Sequence, residues 1–178
     1  FFTSDNFNLL GNATIELNGF TLELGTSTQS VINAPGTIIG SKTSNLTIQG
    51  ASTSLSFDQS NVGTSNALKN FIMNVSGQTV TLRNPLWVIG NVFPTAGVIA
   101  SNGNLTMVST ETTSSNITAF SLPNDVTGDV NVQSYITGGG TGLINRGFRS
   151  MSSPINDSKM TASGAKKTFR QMKDYIIV

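Results

Sequence analysis

Asn45-Leu46-Thr47-Ile48 is a strand phrase that keeps returning along this chain. Its counterparts are Thr14-Ile15-Glu16-Leu17, Asn74-Val75, Asn104-Leu105-Thr106-Met107 and Asp129-Val130-Asn131-Val132. Aligned on the first apolar residue, Ile15, Leu46, Val75, Leu105 and Val130 are separated by 31, 29, 30 and 25 residues. Self-similarity at such a period marks stacked repeats, whose units cannot bury an apolar face alone. Thr, Asn, Ser and Gly fill the intervals and helix formers are scarce. The expected fold is therefore all-β, a parallel β-helix or β-solenoid. Ile15, Leu17, Leu46, Ile48, Val75, Leu105 and Met107 are expected to face inward.

Residues 12–26 alternate, with Ile15 and Leu17 followed by Phe20, Leu22 and Leu24 after Asn18-Gly19. Asn-Gly between alternating strands signals a two-residue hairpin. It serves a solenoid corner equally well, because both residues tolerate left-handed backbone angles. The corner is favoured, since the pattern recurs without a regular hairpin partner. Short strand signals follow around 36–39, 46–48, 55–57, 71–75, 80–82, 87–92 and 105–108, bounded by Gly, Asn, Ser or Pro. Strands this short need stacked neighbours to be stable. Pro35, Pro85 and Pro94 are expected at strand edges, where a missing N–H is tolerated. Phe7, Phe20, Phe57, Phe71 and Phe93 fall at strand positions and read as core ladder residues.

Composition divides the chain. Charged residues are only 11% of it, against about 25% in ordinary soluble domains. Residues 1–145 carry Lys42, Lys69 and Arg83 against seven carboxylates, a balance of −4. Residues 146–178 carry Arg146, Arg149, Lys159, Lys166, Lys167, Arg170 and Lys173 against Asp157 and Asp174, a balance of +5. The repeat also fades after Thr118, at Pro123-Asn124 and Thr137-Gly138-Gly139-Gly140-Thr141-Gly142. The expected organisation is solenoid over 1–120, then a capping or transition element over 121–178 that begins a further β-rich module. Helical spacing occurs only at 163–175, where Ala165, Phe169 and Met172 stand at i, i+4 and i+7.

The chain has no cysteine and no histidine. That excludes disulfide staples and thiolate metal sites, and removes the commonest general base. No apolar run approaches the ~20 residues of a spanning helix, so no transmembrane segment is expected. The opening Phe1-Phe2-Thr3 lacks Met and a signal peptide, and reads as the start of a fragment cut from a longer polypeptide.

Candidate chemistry gives way to structural explanations throughout. Asp125 with Asp129, and Glu16 with Glu23, are the nearest carboxylate pairs in sequence, and glycoside cleavage needs two carboxyls about 5–10 Å apart. Asp125 lies in a turn, Asp129 opens a strand, and the two glutamates occupy the polar side of alternating strands. Ser163-Gly164-Ala165-Lys166 has nucleophile–base spacing but lacks its partner motifs. Gly138–Gly142 is not followed by the Lys-Ser/Thr of a phosphate-cradling loop. Arg146, Arg149, Lys166, Lys167, Arg170 and Lys173 are interleaved only by Phe148 and Phe169, which suits a capping surface over nucleic-acid binding. Trp87, between Leu86 and Val88, reads as core or half-core packing over sugar stacking. Asn12, Asn45, Asn74, Asn104, Asn116 and Asn156 each begin a glycosylation sequon, expected by chance in so Asn-rich a chain. No catalytic, cofactor-binding or metal-ligating residue is assigned.

From Asn102 onward a longer pattern appears. Asn104-Leu105-Thr106-Met107-Val108-Ser109-Thr110 precedes Gly128-Asp129-Val130-Asn131-Val132-Gln133-Ser134-Tyr135-Ile136. Arg146-Gly147-Phe148-Arg149-Ser150-Met151-Ser152-Ser153-Pro154-Ile155 and Met172-Lys173-Asp174-Tyr175-Ile176 follow. This order resembles large repetitive surface proteins of the Bacteroidetes, in which such runs end a β-solenoid and enter a β-rich module. Ser134 departs from it, standing where the family commonly has Arg before the Tyr. The resemblance implies export by the type IX secretion system to the cell surface or medium, and a non-enzymatic structural or adhesive role; some such proteins are adhesins of gliding motility. Expected partners are extracellular glycans or proteins and the secretion or surface-attachment machinery, with no nucleic acid and no cofactor. Two other expectations stand beside this one: a carbohydrate-binding or lyase-like β-helix, and a secretion cargo or accessory subunit of a cell-envelope assembly.

Overall fold

The computed structural model describes residues 6–26 and 31–135. Their strands, in chain order, are β1 (Asn6–Asn8), β2 (Thr14–Glu16), β3 (Thr21–Leu24), β4 (Val31–Ile39), β5 (Asn45–Ile48), β6 (Ala51–Phe57) and β7 (Ala67–Leu68). Then come β8 (Asn70–Leu82), β9 (Leu86–Val88), β10 (Asn91–Ala100), β11 (Leu105–Met107), β12 (Asn116–Ile117), β13 (Asp125–Thr127) and β14 (Val130–Val132). Every ladder between them is parallel. The described residues form an all-β, parallel β-solenoid of about four turns. Among the described residues no helix is long and apolar enough to cross a membrane.

The strands fall into three columns. One holds β3, β5, the first half of β8, the first half of β10, and β12. A second holds β1 and β2, then β4, β6, the later halves of β8 and β10, and β13. The third is a four-stranded sheet of β7, β9, β11 and β14. Each column turns alternate residues inward, as the pleat requires. Leu22, Leu46, Phe71 and Val92 stack in the first column, Leu68, Val88 and Met107 in the third, and all are buried. Ile38, Phe57, Leu55, Leu82, Val80 and Ile99 fill the same core from the second.

The spacing of the repeated phrase is not the period of the coil. Ile15 pairs with Ile38 in the second column, Leu46 lies between Leu22 and Phe71 in the first, and Leu105 stacks on Leu86 in the third. Of the aligned steps, only Leu105 to Val130 joins residues that stack. True coils are shorter, running from 19 residues between Val80 and Ile99 to 27 between Ile99 and Val126. All strands of a solenoid face the same requirement, an apolar inner face between tight turns. Similarity of phrase therefore reports a strand without reporting its column. Of the seven residues expected inside, six are buried and Ile15 is partly buried against the core.

Three local expectations are corrected or decided. Asn18-Gly19 is a corner: β2 pairs with β4 and β3 with β5, with Asn18 at φ +46° and Gly19 at φ +84°. Phe57 and Phe71 are core residues and Phe7 packs partly against the core, but Phe20 is 71% exposed directly after that corner. Phe93 points outward between the buried Val92 and Pro94. Pro94 and Pro35 lie within β10 and β4, at the register breaks where those strands bend. A break in the ladder excuses the missing N–H as well as a strand edge does.

The high asparagine content has a structural use. On the first column, Asn45 Nδ2 donates to Thr21 Oγ1 (3.0 Å), Asn70 Nδ2 to Asn45 Oδ1 (2.9 Å), and Asn116 Nδ2 to Asn91 Oδ1 (2.6 Å). Asn70 Oδ1 accepts from the Asn91 backbone N–H (3.0 Å). These steps span 24, 25, 25 and 21 residues, so one asparagine ladder joins the five strands of the first column through four coil-to-coil steps. Elsewhere Asn84 bonds both the N–H and the carbonyl of Phe57 (2.8 Å each). Asn104 and Asn131 donate to the carbonyls of Leu82 and Gly103. Asn70→Ala removes two ladder bonds at once and should cost about 1–3 kcal/mol, measured as the shift in urea unfolding. Asn116→Ala, at the ladder's end, should cost less. Equal costs would contradict the ladder.

The parallel pairing runs to Val132, through β10–β13 and β11–β14. Residues 125–127 and 130–132, in the stretch where the repeated phrase fades, are thus paired into the coils. The turn at Pro123-Asn124 is absorbed because Asn124 bonds Gly97 N (2.9 Å) and Thr95 O (3.1 Å) in the coil beneath. Residues 136–178 of the element expected over 121–178, including the helical spacing at 163–175, lie outside the described residues.

Candidate functional site

The carboxylates are distributed between columns and turns. Glu16 is exposed on β2 in the second column, while Glu23 on β3 in the first accepts from Gln49 Nε2 (3.3 Å). Asp125 opens β13 instead of lying in a turn, and its Oδ1 accepts from the adjacent Val126 N–H (2.7 Å). Asp129 is exposed, and its carbonyl receives the buried Ser101 hydroxyl (2.7 Å). No group of three or more His, Cys, Asp or Glu side chains able to hold a metal occurs among the described residues. Ser163, Lys166, Gly138–Gly142, Arg146, Arg149, Lys167, Arg170, Lys173 and Asn156 lie outside the described residues. Of the remaining sequons, Asn45, Asn104 and Asn116 spend their amides on neighbouring coils. Asn12 and Asn74 are exposed.

One loop is built up more than the other corners. Between β6 and β7, residues 58–66 form a cover whose centre is the fully buried Asn66. Its Oδ1 accepts from Gly63 N (2.6 Å), and its Nδ2 donates to Gln59 Oε1 (3.2 Å) and Pro85 O (3.1 Å). Trp87 faces outward from β9, half-buried, with its ring against Gly63. A Cβ on Gly63 would come within 3.2 Å of that ring. Trp87 is therefore packed against this loop, the half-core role expected of it.

Asp58 opens the loop. Its Oδ2 accepts from the Ser60 hydroxyl and from Ser60 N (3.2 Å). The Ser60 hydroxyl, followed by the Ser65 side chain, holds this carboxyl below its ordinary value of 3.8. A depressed folded-state value means the contribution is complete above 3.8 and is lost as pH falls through the lower value. An NMR titration followed at the Ser60 amide should therefore have its midpoint below 3.8, and Asp58→Asn should abolish it. A midpoint above 3.8 would contradict the stabilisation of this carboxylate by Ser60 and Ser65.

A further feature has no signal in the strand pattern. An open hollow of about 340 Å³ lies at the bend of β10, lined by Pro94, Thr95, Thr118, Ala119, Phe120, Ser121 and Asn124. No charged side chain lines it. Phe120 is 42% exposed and the neighbouring Leu122 83%. The only hint in the sequence is Phe120 itself, an aromatic placed between strands where the alternation has lapsed.

No known protein family, curated protein or solved structure matches the chain. The site must be read from its own chemistry. The described surface offers no convergent acid and base, and its polar side chains are used mainly to join coils.

Proposed function

We propose that this chain is a non-enzymatic length of rod in an extracellular or surface-displayed bacterial protein, serving to space and present a binding surface. The observation that carries the reading is the unbroken parallel stack with its coil-to-coil asparagine ladder. Such a stack repeats one environment along an axis, which suits extension and multivalent contact. Catalysis instead needs groups of matched pKa within mutual reach. The sequence order from Asn104 to Ile176 supports the same reading through its similarity to Bacteroidetes repetitive surface proteins. On that similarity, the type IX secretion system is the proposed export route, and adhesion the proposed role.

Antibody raised against the chain should label intact cells of the producing bacterium or detect the protein in its medium. Disabling type IX secretion should remove that signal. Label confined to lysed cells would overturn the reading. Binding to whatever surface it contacts should survive Glu16→Ala, Glu23→Ala, Asp125→Ala and Asp129→Ala taken singly. A carboxylate whose loss abolishes polysaccharide turnover would establish an enzyme instead.

A second reading, binding of carbohydrate, is favoured by one observation: the uncharged hollow beside the exposed Phe120.

A further inference from the structure

We propose that the hollow at the bend of β10 is a subsite for one neutral sugar unit of an uncharged polysaccharide. This rests on the reading of the rod as a displayed binding surface and names what that surface would hold.

The lining has two kinds of surface. Pro94, Ala119 and Phe120 are apolar, while Thr95, Thr118, Ser121 and Asn124 carry hydroxyl or amide groups. A pyranose has the matching division, with C–H groups on its faces and hydroxyls around its rim. The surface of the hollow is more polar than apolar, so its hydroxyl and amide groups supply orientation and specificity and the Phe120 ring supplies the apolar platform. The lack of any charged lining residue removes the advantage an anionic sugar would need to offset its desolvation. The volume, about 340 Å³, stands at the small end of ligand sites and suits a single ring of a longer chain. Phe120 supplies an aromatic surface left partly open, where large rings are ordinarily covered.

Both walls are held in place before any ligand arrives. Asn124 clamps the 118–124 turn to Gly97 N and Thr95 O of β10. Thr118 donates to Val92 O through its N–H (2.9 Å) and its hydroxyl (3.3 Å). Asn124 N closes the turn on Ser121 O (3.0 Å). The Thr118 oxygen keeps its acceptor capacity, and the Thr95 and Ser121 side chains are exposed. The backbone of both walls and the Asn124 and Thr118 side chains are ordered on folding, so binding does not bear that part of the entropy cost again.

The test uses the isotope-labelled full chain with cellohexaose, laminarihexaose, mannohexaose and maltohexaose as neutral probes, and polygalacturonate as the charged one. At least one neutral probe should shift the Thr95, Phe120 and Ser121 amide signals. Phe120→Ala should weaken that binding by about tenfold or more and leave the thermal unfolding midpoint unchanged. Thr95→Ala should weaken it by a smaller factor and supplies a second arm should Phe120→Ala fold poorly. No shift with any neutral probe at about 10 mM, a free energy below 3 kcal/mol, would overturn the proposal. So would shifts confined to another face, binding undiminished in both variants, or preference for polygalacturonate. Surface labelling of intact cells reports the rod's display separately: lost sugar binding with labelling intact refutes the subsite alone, and absent labelling refutes the display.

Discussion

Phe71→Ala is expected to destabilise the solenoid by about 3–5 kcal/mol. Among the described residues Phe71 is one of the two largest fully buried side chains, and its register partners are Leu46 on one coil and Val92 on the next. Removing the ring takes away its transfer free energy and leaves a void. The neighbours cannot close it easily, because the strands above and below are tied into ladders on both sides. Phe20→Ala provides the contrast. Phe20 is 71% exposed, so its loss should fall within about 0.5 kcal/mol of wild type. Urea unfolding of both variants decides the point. A Phe71→Ala cost under about 1 kcal/mol would mean that the first column is not packed as described.

Gly97→Ala should have the second large effect, for two separable reasons. Gly97 sits at φ +93°, where L residues are strained. An added Cβ would also approach the Gln78 carbonyl oxygen to 2.8 Å and the Val75 carbonyl oxygen more closely still. Both are backbone atoms of β8 and cannot rotate away. Gly77 shares the left-handed conformation, at φ +71°, but has open space where its Cβ would go. Gly77→Ala therefore isolates the dihedral cost, about 1–2 kcal/mol. Gly97→Ala should exceed it by about 1–3 kcal/mol, read again in urea. Equal costs for the two variants would show that β10 does not bend this closely over β8.

How much of this could be read from the chain depends on which physical signal each feature leaves. The alternation of Leu22, Leu24, Leu46 and Ile48, with Asn-Gly corners between short strands, is a direct imprint of burial on one face and was enough to indicate a solenoid. The column to which each phrase belongs leaves no such imprint. Ile15 and Leu46 meet the same local demands although they lie in different columns, so aligning them overstated the coil length. Phe20 has the right alternation but sits on a corner, where the chain turns the ring outward. The asparagine ladder was hidden because its members, Asn45, Asn70, Asn91 and Asn116, are unevenly spaced and resemble turn residues. The hollow at Phe120 joins two coils through Asn124 and Thr95, a juxtaposition made only by winding.

The central claim, that coils stack in this register, is most directly tested with paired cysteines, since the chain has none of its own. Thr47 lies opposite Glu23 in neighbouring parallel strands, where Cα atoms are about 4.8 Å apart and within disulfide reach. Alignment of the repeated phrase would instead set Thr47 opposite Glu16. Under mild oxidation, Glu23→Cys with Thr47→Cys should form an intramolecular disulfide, and Glu16→Cys with Thr47→Cys should stay reduced. Bridging of the Glu16 pair, with the Glu23 pair left reduced, would contradict the register and the account built on it.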